Sequence, residues 1–147
     1  MTITKHKNNY FDEYNREIKI LLDGIDNKAR DLLIKKIILL KKNNKIIITG
    51  NGGSASIANH VAVDFTKVLK IRSVNFNEAN LITCFANDYG YENWVAKAFS
   101  SYAIKGDIGI FISSSGNSKN IINGCNYAKK NGIFTVTFSG FKKNNQF

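Results

Sequence analysis

Proline is absent from all 147 residues, and cysteine (two), histidine (two), methionine (one) and tryptophan (one) are scarce. A chain without proline holds no stiff proline-rich spacer. Two cysteines, Cys84 and Cys125, with no CxxC spacing, exclude a disulfide mini-protein. In a lysine-rich chain they point to a reducing compartment, so a cytoplasmic location is expected. No apolar run approaches the ~18 residues of a membrane span, so no membrane partner is expected. The opening MTITKHKNNYFDEYNREIKI lacks the apolar core of a secretory signal. Acids are also few: 11 Asp and Glu against 21 Lys and Arg leave a formal charge of +10. Such an excess can signal nucleic acid or anionic ligands. Here Lys supplies 18 of the 21 cations, they are scattered, and Lys, Asn and Ile together make up 58 residues. That pattern reads as a drift of composition over the whole chain and argues against a dedicated nucleic-acid patch.

The length fits one domain, at ~100–200 residues each, and 44% hydrophobic residues suffice for a core. Residues 1–43 read as a helical pair. Tyr10, Phe11, Tyr14, Ile18, Leu21, Leu22 and Ile25 recur at spacings of three and four. Asp26 then caps a second helix with Ala29, Leu32, Leu33, Ile37 and Leu40 inward. From Lys45 the texture changes. KIIIT (45–49) is a β-branched run, apolar at its centre, suited to a parallel strand covered on both faces, and DIGIFIS (107–113) and IFTVTFS (133–139) are read as further strands. A weaker strand is expected near 72–76, and helices over 54–70, 79–87, 91–104 and 117–131, the last ended by Gly132. Strands alternating with helices predict an α/β domain, a three-layer sandwich whose parallel sheet is flanked by helices, over residues 44–147.

Two loops of one design follow buried strands and open helices: Gly50-Asn51-Gly52-Gly53-Ser54 and Ser113-Ser114-Ser115-Gly116-Asn117-Ser118. Ligands of open parallel sheets bind at the carboxyl ends of strands. Helix N-termini offer free N–H groups and a positive dipole end to a phosphate, and serine hydroxyls add donors without bulk. The plainer alternative is that Ser and Gly merely cap a helix and make a turn. Gly50-x-Gly52-x-x-Ala55 also fits a dinucleotide fingerprint, but the acid expected ~20 positions on is missing from VLKIRSV (68–74) and Glu78 comes late. No nucleotide cofactor is therefore expected.

Along the helix after GNGGS, Ile57, Val61, Phe65 and Val68 form an apolar stripe, and His60 and Asp64, which share a face as i and i+4, are expected to point inward, toward the ligand end or a partner. A neutral His and a carboxylate can bind zinc or exchange protons; equally, they can form a buried hydrogen bond that fixes the helix. Asp88 lies in the polar stretch 87–93, read as a loop between helices, where it is a linker cap or a carboxylate reaching a ligand. Cys84 and Cys125 occupy helical apolar positions and are read as small core residues. Trp94 is read as core or interface.

Together GNGGSASIANHVAVDFTK, CFANDYGYENWVAKAF, KGDIGIFISSSGNSKNII and AKKNGIFTVTFSG resemble the sugar isomerase (SIS) domain, and within it the phosphoheptose isomerases, which convert sedoheptulose 7-phosphate to D-glycero-D-manno-heptose 7-phosphate for surface-polysaccharide heptose. The resemblance implies a Rossmann-like parallel sheet and a homotetramer with sites at subunit interfaces. It places a phosphorylated sugar on Ser113, Ser114, Ser115 and Ser118, with Gly116 shaping the turn. It assigns further substrate contacts to Asn51 and Ser54 of the loop containing Gly52 and Gly53, and to Asp88. Asp64 stands where the family has a proton-transferring acid, usually Glu, and His60 matches a His one turn earlier that with the acid holds zinc in some members. Two departures follow. Asp is one methylene shorter than Glu. The family's last strand and helix, which carry a second catalytic His, have no counterpart before FKKNNQF, and no helix follows Gly140 to cover the final strand. A truncated chain is the expectation that follows. A non-catalytic phosphosugar-binding module, of the kind that associates with a replication initiator, or an inactive fragment, is the alternative.

Overall fold

The computed structural model describes residues 3–141 and 144–147. It divides into two compact units between Ile38 and Leu39. The first unit holds α1 (Ile3–Asp23) and α2 (Asn27–Ile38). Asp26 caps α2 as its position predicts: its Oδ1 accepts from Lys28 N at 2.8 Å and Ala29 N at 3.3 Å. The apolar stripe of α1 is exposed from Tyr10 to Leu22, and Leu32 of α2 is exposed rather than inward. Leu33 and Ile37 are half-buried. A unit of fewer than ~40 residues has too little surface to cover its own apolar faces.

The second unit runs β1 (Ile46–Gly50), α3 (Gly53–Lys67), β2 (Ser73–Asn75), α4 (Ala79–Tyr89), α5 (Trp94–Tyr102), β3 (Ile108–Ile112), α6 (Lys119–Lys130) and β4 (Phe134–Phe138). The four strands form one sheet in the order β2-β1-β3-β4, every pair parallel. β1 is wholly buried, because helices cover both of its faces. α3 packs on β1 and β2, while α5 and α6 pack together on the opposite face. That opposite side holds the main core, where Ile47, Phe111, Trp94, Val95, Phe99 and Ile121 meet. Phe99 stacks on Phe111, with ring centroids 5.0 Å apart. The expected three-layer α/β architecture is therefore present. Among the described residues, no helix is long and apolar enough to cross a membrane.

Two expectations about faces are corrected. The buried residues of α3 are Ser54, Ala58 and Ala62, whereas Ile57 is 54% and Val68 66% exposed. A helix laid closely on a sheet needs small side chains at the contact, and the alanines supply them; Val61 and Phe65 are half-buried beside them, and Ile57 and Val68 are left on the outer face. Cys84 is exposed, and Cys125 is only half-buried. Trp94, by contrast, is in the core at 1% exposure.

Candidate functional site

After β1 the chain turns to β2 on one side, and after β2 it crosses back to β3 on the other. The strand order thus reverses between β1 and β3, and the crevice at such a switch point is where open α/β sheets take ligands. Gly50 pairs with Ile112 in the β1–β3 register, so the two loops leave the sheet at the same height. They share one cavity of about 220 Å³, lined by Asn51, Ser54, Ile112, Ser113, Ser114, Ser115, Ser118 and Phe141. Among the described residues no ionisable side chain lines it. The polar lining is hydroxyl and amide.

The backbone is shaped for this approach. A Cβ on Gly50 would lie 2.7 Å from Ser54 Cβ, so only glycine allows α3 to begin so close to β1. Gly116 sits at φ +64, the left-handed region that side-chain-bearing residues avoid. Gly52 is the N-cap of α3 and, like Gly53, has open space beside it. No side chain caps α3 or α6. Ser118, the N-cap residue of α6, shares a hydrogen bond with Ser113 Oγ at 3.2 Å instead. Backbone carbonyls already take Ser54 N and Ala55 N in α3 and Ile121 N in α6, so among the described residues the helix-opening N–H groups left for a ligand are those of Gly53, Lys119 and Asn120. Ser115 Oγ accepts from Asn117 N at 3.2 Å. Residues after β4 fold back over the serine loop: Gly140 N and Phe141 N donate to Ser114 O at 2.9 and 3.1 Å.

One link between the loops has no local sequence signal. Asn51 Nδ2 donates to Asn120 Oδ1 at 3.0 Å, and Asn120 Nδ2 donates back to Asn51 Oδ1 at 2.9 Å. Asn120 is 3% exposed. Phe141 was also missed; it enters the lining from beyond β4.

The remaining candidates lie outside the lining. His60 Nε2 and Asp64 Oδ2 are 3.6 Å apart, with side chains 81% and 55% exposed. They share a face as expected, but it is the outer face of α3 rather than an inward one, because the alanine side packs on the sheet. At ~1.5 Å rise per residue, Asp64 stands about 15 Å along the axis from Ser54. For zinc, His60 and Asp64 offer two donors. No group of three or more His, Cys, Asp or Glu suited to a metal occurs among the described residues, so the pair alone does not fit the four-coordinate demand of that ion. Asp88 belongs to the last turn of α4 rather than to a loop. It is no cap there, since a carboxylate at a helix C-terminus opposes the dipole; it accepts from Asn87 Nδ2 at 3.0 Å. Glu78, late for a ribose-binding acid, is the N-cap of α4 and accepts from Asn80 N and Leu81 N at 3.0 and 2.8 Å. Those backbone donors hold its carboxyl below the ordinary range.

A parallel sheet with serine- and glycine-built turns at its switch point defines a class of open α/β domains, and the chain belongs to one family of them, the SIS domain, whose model matches residues 10–140. Phosphoheptose isomerase 2 of Campylobacter jejuni is 39% identical over 106 residues, 68% of this chain and 53% of that protein. The phosphoheptose isomerase of Fusobacterium nucleatum is 32% identical over 142 residues, 90% of this chain and 73% of that one. The chain thus spans about half to three-quarters of the length of these relatives. The solved phosphoheptose isomerase of Neisseria gonorrhoeae matches with a TM-score of 0.84 at 26% identity, covering 97% of this chain and 78% of that chain.

Proposed function

We propose that this chain binds a phosphorylated sugar and takes part in aldose–ketose isomerisation of the phosphoheptose isomerase type, sedoheptulose 7-phosphate being the substrate. The observation that carries this is the shared cavity, in which Ser113, Ser114, Ser115 and Ser118 of one turn face Asn51 and Ser54 of the other. Neutral hydroxyls and helix-opening N–H groups suit a phosphate. The names of the relatives supply the sugar class. With the phosphate anchored there, the reacting carbons of a seven-carbon chain extend away from the sheet. Asp64, on the outer face of α3 about 15 Å along its axis from Ser54, is in our reading the group that moves a proton between neighbouring carbons through an enediol, acting on the sugar held by a neighbouring copy of the chain. Remote phosphate binding positions those carbons. Asp88 contacts the sugar in this reading.

The exposed stripe Tyr10, Phe11, Tyr14, Leu21 and Leu22, and the outer face of α3 around Ile57 and Val68, support assembly into a homo-oligomer, a tetramer in this reading. A cytoplasmic location belongs to the same reading.

Calorimetry tests the binding claim. Sedoheptulose 7-phosphate should bind and unphosphorylated sedoheptulose should not. Ser115→Ala and Ser118→Ala should each weaken binding by about tenfold or more, as expected for a lost hydrogen bond to a charged group. Equal affinity for the two sugars, or no binding of either, would overturn the reading.

A further inference from the structure

We infer that Asn120 is a positioning residue that sets the spacing of the two turns by holding the Asn51 amide from behind, so that sugar phosphate affinity depends on a side chain outside the cavity lining. The inference rests on the function proposed above only for the nature of the ligand. Asn120 lies in the first turn of α6, two residues after Ser118, and is buried at 3% exposure. Its amide and that of Asn51 exchange two hydrogen bonds, at 3.0 and 2.9 Å, across 69 residues of sequence. Among the described residues this is the only side-chain-to-side-chain bond between the glycine turn and the segment that carries the serines.

The pairing has a chemical consequence. A primary amide has two N–H donors and an oxygen with two lone pairs. The reciprocal pair takes one donor and one lone pair from Asn51. The second N–H of Asn51 and its remaining lone pair are left in a fixed plane, and Asn51 is the member of the pair that lines the cavity. Asn120 therefore decides which way the Asn51 donor faces. Without it the amide rotates freely, and the turn at 50–54 loses its tie to α6. The serine turn keeps its own bonds, Ser113 Oγ to Ser118 Oγ and Gly116 N to Ser113 O, so a bare phosphate should be held nearly as before.

The test compares wild type, Asn120→Ala and the isosteric Asn120→Asp by two readouts. Hydrogen exchange of the unliganded chain reads the turn directly. Asn120→Ala, which loses both bonds, should speed exchange in residues 50–54 on the order of tenfold, while β1, β3 and the body of α6 stay protected. The Asp side chain fills the same space and still accepts from Asn51 Nδ2 but meets Asn51 Oδ1 with an oxygen, so Asn120→Asp should speed exchange at 50–54 in the same direction by a smaller factor. Calorimetry then compares sedoheptulose 7-phosphate with inorganic phosphate: the sugar phosphate should lose about tenfold or more in affinity and inorganic phosphate no more than about twofold. Unchanged exchange at 50–54, a rise spread over the whole sheet, or an equal loss for both anions would overturn the inference. If Asn120→Ala does not fold, Asn120→Asp carries the test alone. If the wild-type chain binds no sugar phosphate, the proposed function fails while the exchange result still judges the tie between the turns.

Discussion

Lys45 Nζ donates to Asp107 Oδ2 at 2.7 Å, with the lysine side chain 12% exposed and the carboxylate fully buried. Asp107 also accepts from Asn44 Nδ2 at 3.1 Å and from Lys45 N and Ile104 N at 3.0 Å each. This knot ties the start of β1 to the start of β3, at the end of the sheet opposite the two turns. Burial pushes the Asp107 carboxyl up, but its donors, the Lys45 ammonium first, together outweigh it and hold the group below the ordinary range. Asp107→Ala should cost about 3–5 kcal/mol, since it leaves Lys45 and the Asn44 amide without their partner. Urea denaturation at neutral pH checks this.

The same carboxyl predicts a pH dependence. A folded-state pKa held below its unfolded value of ~3.9 gives stability that is present above that value and lost as the pH falls through the folded one. Glu78 acts in the same direction. The difference in stability between wild type and Asp107→Ala should therefore shrink below about pH 4. A gap that stays constant down to the acid transition would contradict the assignment.

Thr49 Oγ1 is buried with no hydrogen-bond partner among the described residues. Thr49→Val keeps the shape and removes a hydroxyl whose desolvation nothing repays. The variant should be neutral to stabilising by up to about 1 kcal/mol, read as a rise in Tm of up to about 4 °C. A clear fall in Tm would show that the hydroxyl has a partner.

The two outer layers of α3 should respond in opposite ways to substitution. Ala58→Leu should overpack the contact with β1 and cost about 1–3 kcal/mol. Ile57→Ser, on the exposed face, should leave the fold of a single chain within about 0.5 kcal/mol. If the ranking is reversed by thermal denaturation of the monomer, the assigned packing face is wrong.

The thiols should react in order. Cys84 is exposed, on the wall of a groove formed with Phe76, Leu81 and Phe85. Burial pushes the Cys125 thiol up. Iodoacetamide at pH 7.5 should label Cys84 first, as peptide mass spectrometry can follow.

β1 and β3 were legible because a strand covered on both faces is apolar nearly throughout, as 46–48 and 108–112 are; β4 was legible from its β-branched and aromatic residues, although it is only half-buried to exposed. The turns were legible because Gly and Ser in that order after a strand have few other uses. The packing face of α3 was not. Periodicity records which side chains are large and apolar, whereas a helix seated tightly on a sheet buries its small ones, Ala58 and Ala62. Asp88 was misplaced for a related reason: Gly90 stops α4 one residue after Tyr89, and the polar run 87–93 hides where that stop falls. Asn120 was invisible, since its partner is 69 residues away and no local spacing marks the pair.

The pairing of Gly50 with Ile112 makes the cavity a matter of counting. Removing one residue from β1 would draw its turn back by about 3.3 Å and swing every following side chain to the other layer. Neither rim can be lengthened or trimmed alone, so natural variants that resize this pocket should carry matched insertions at both strand tips.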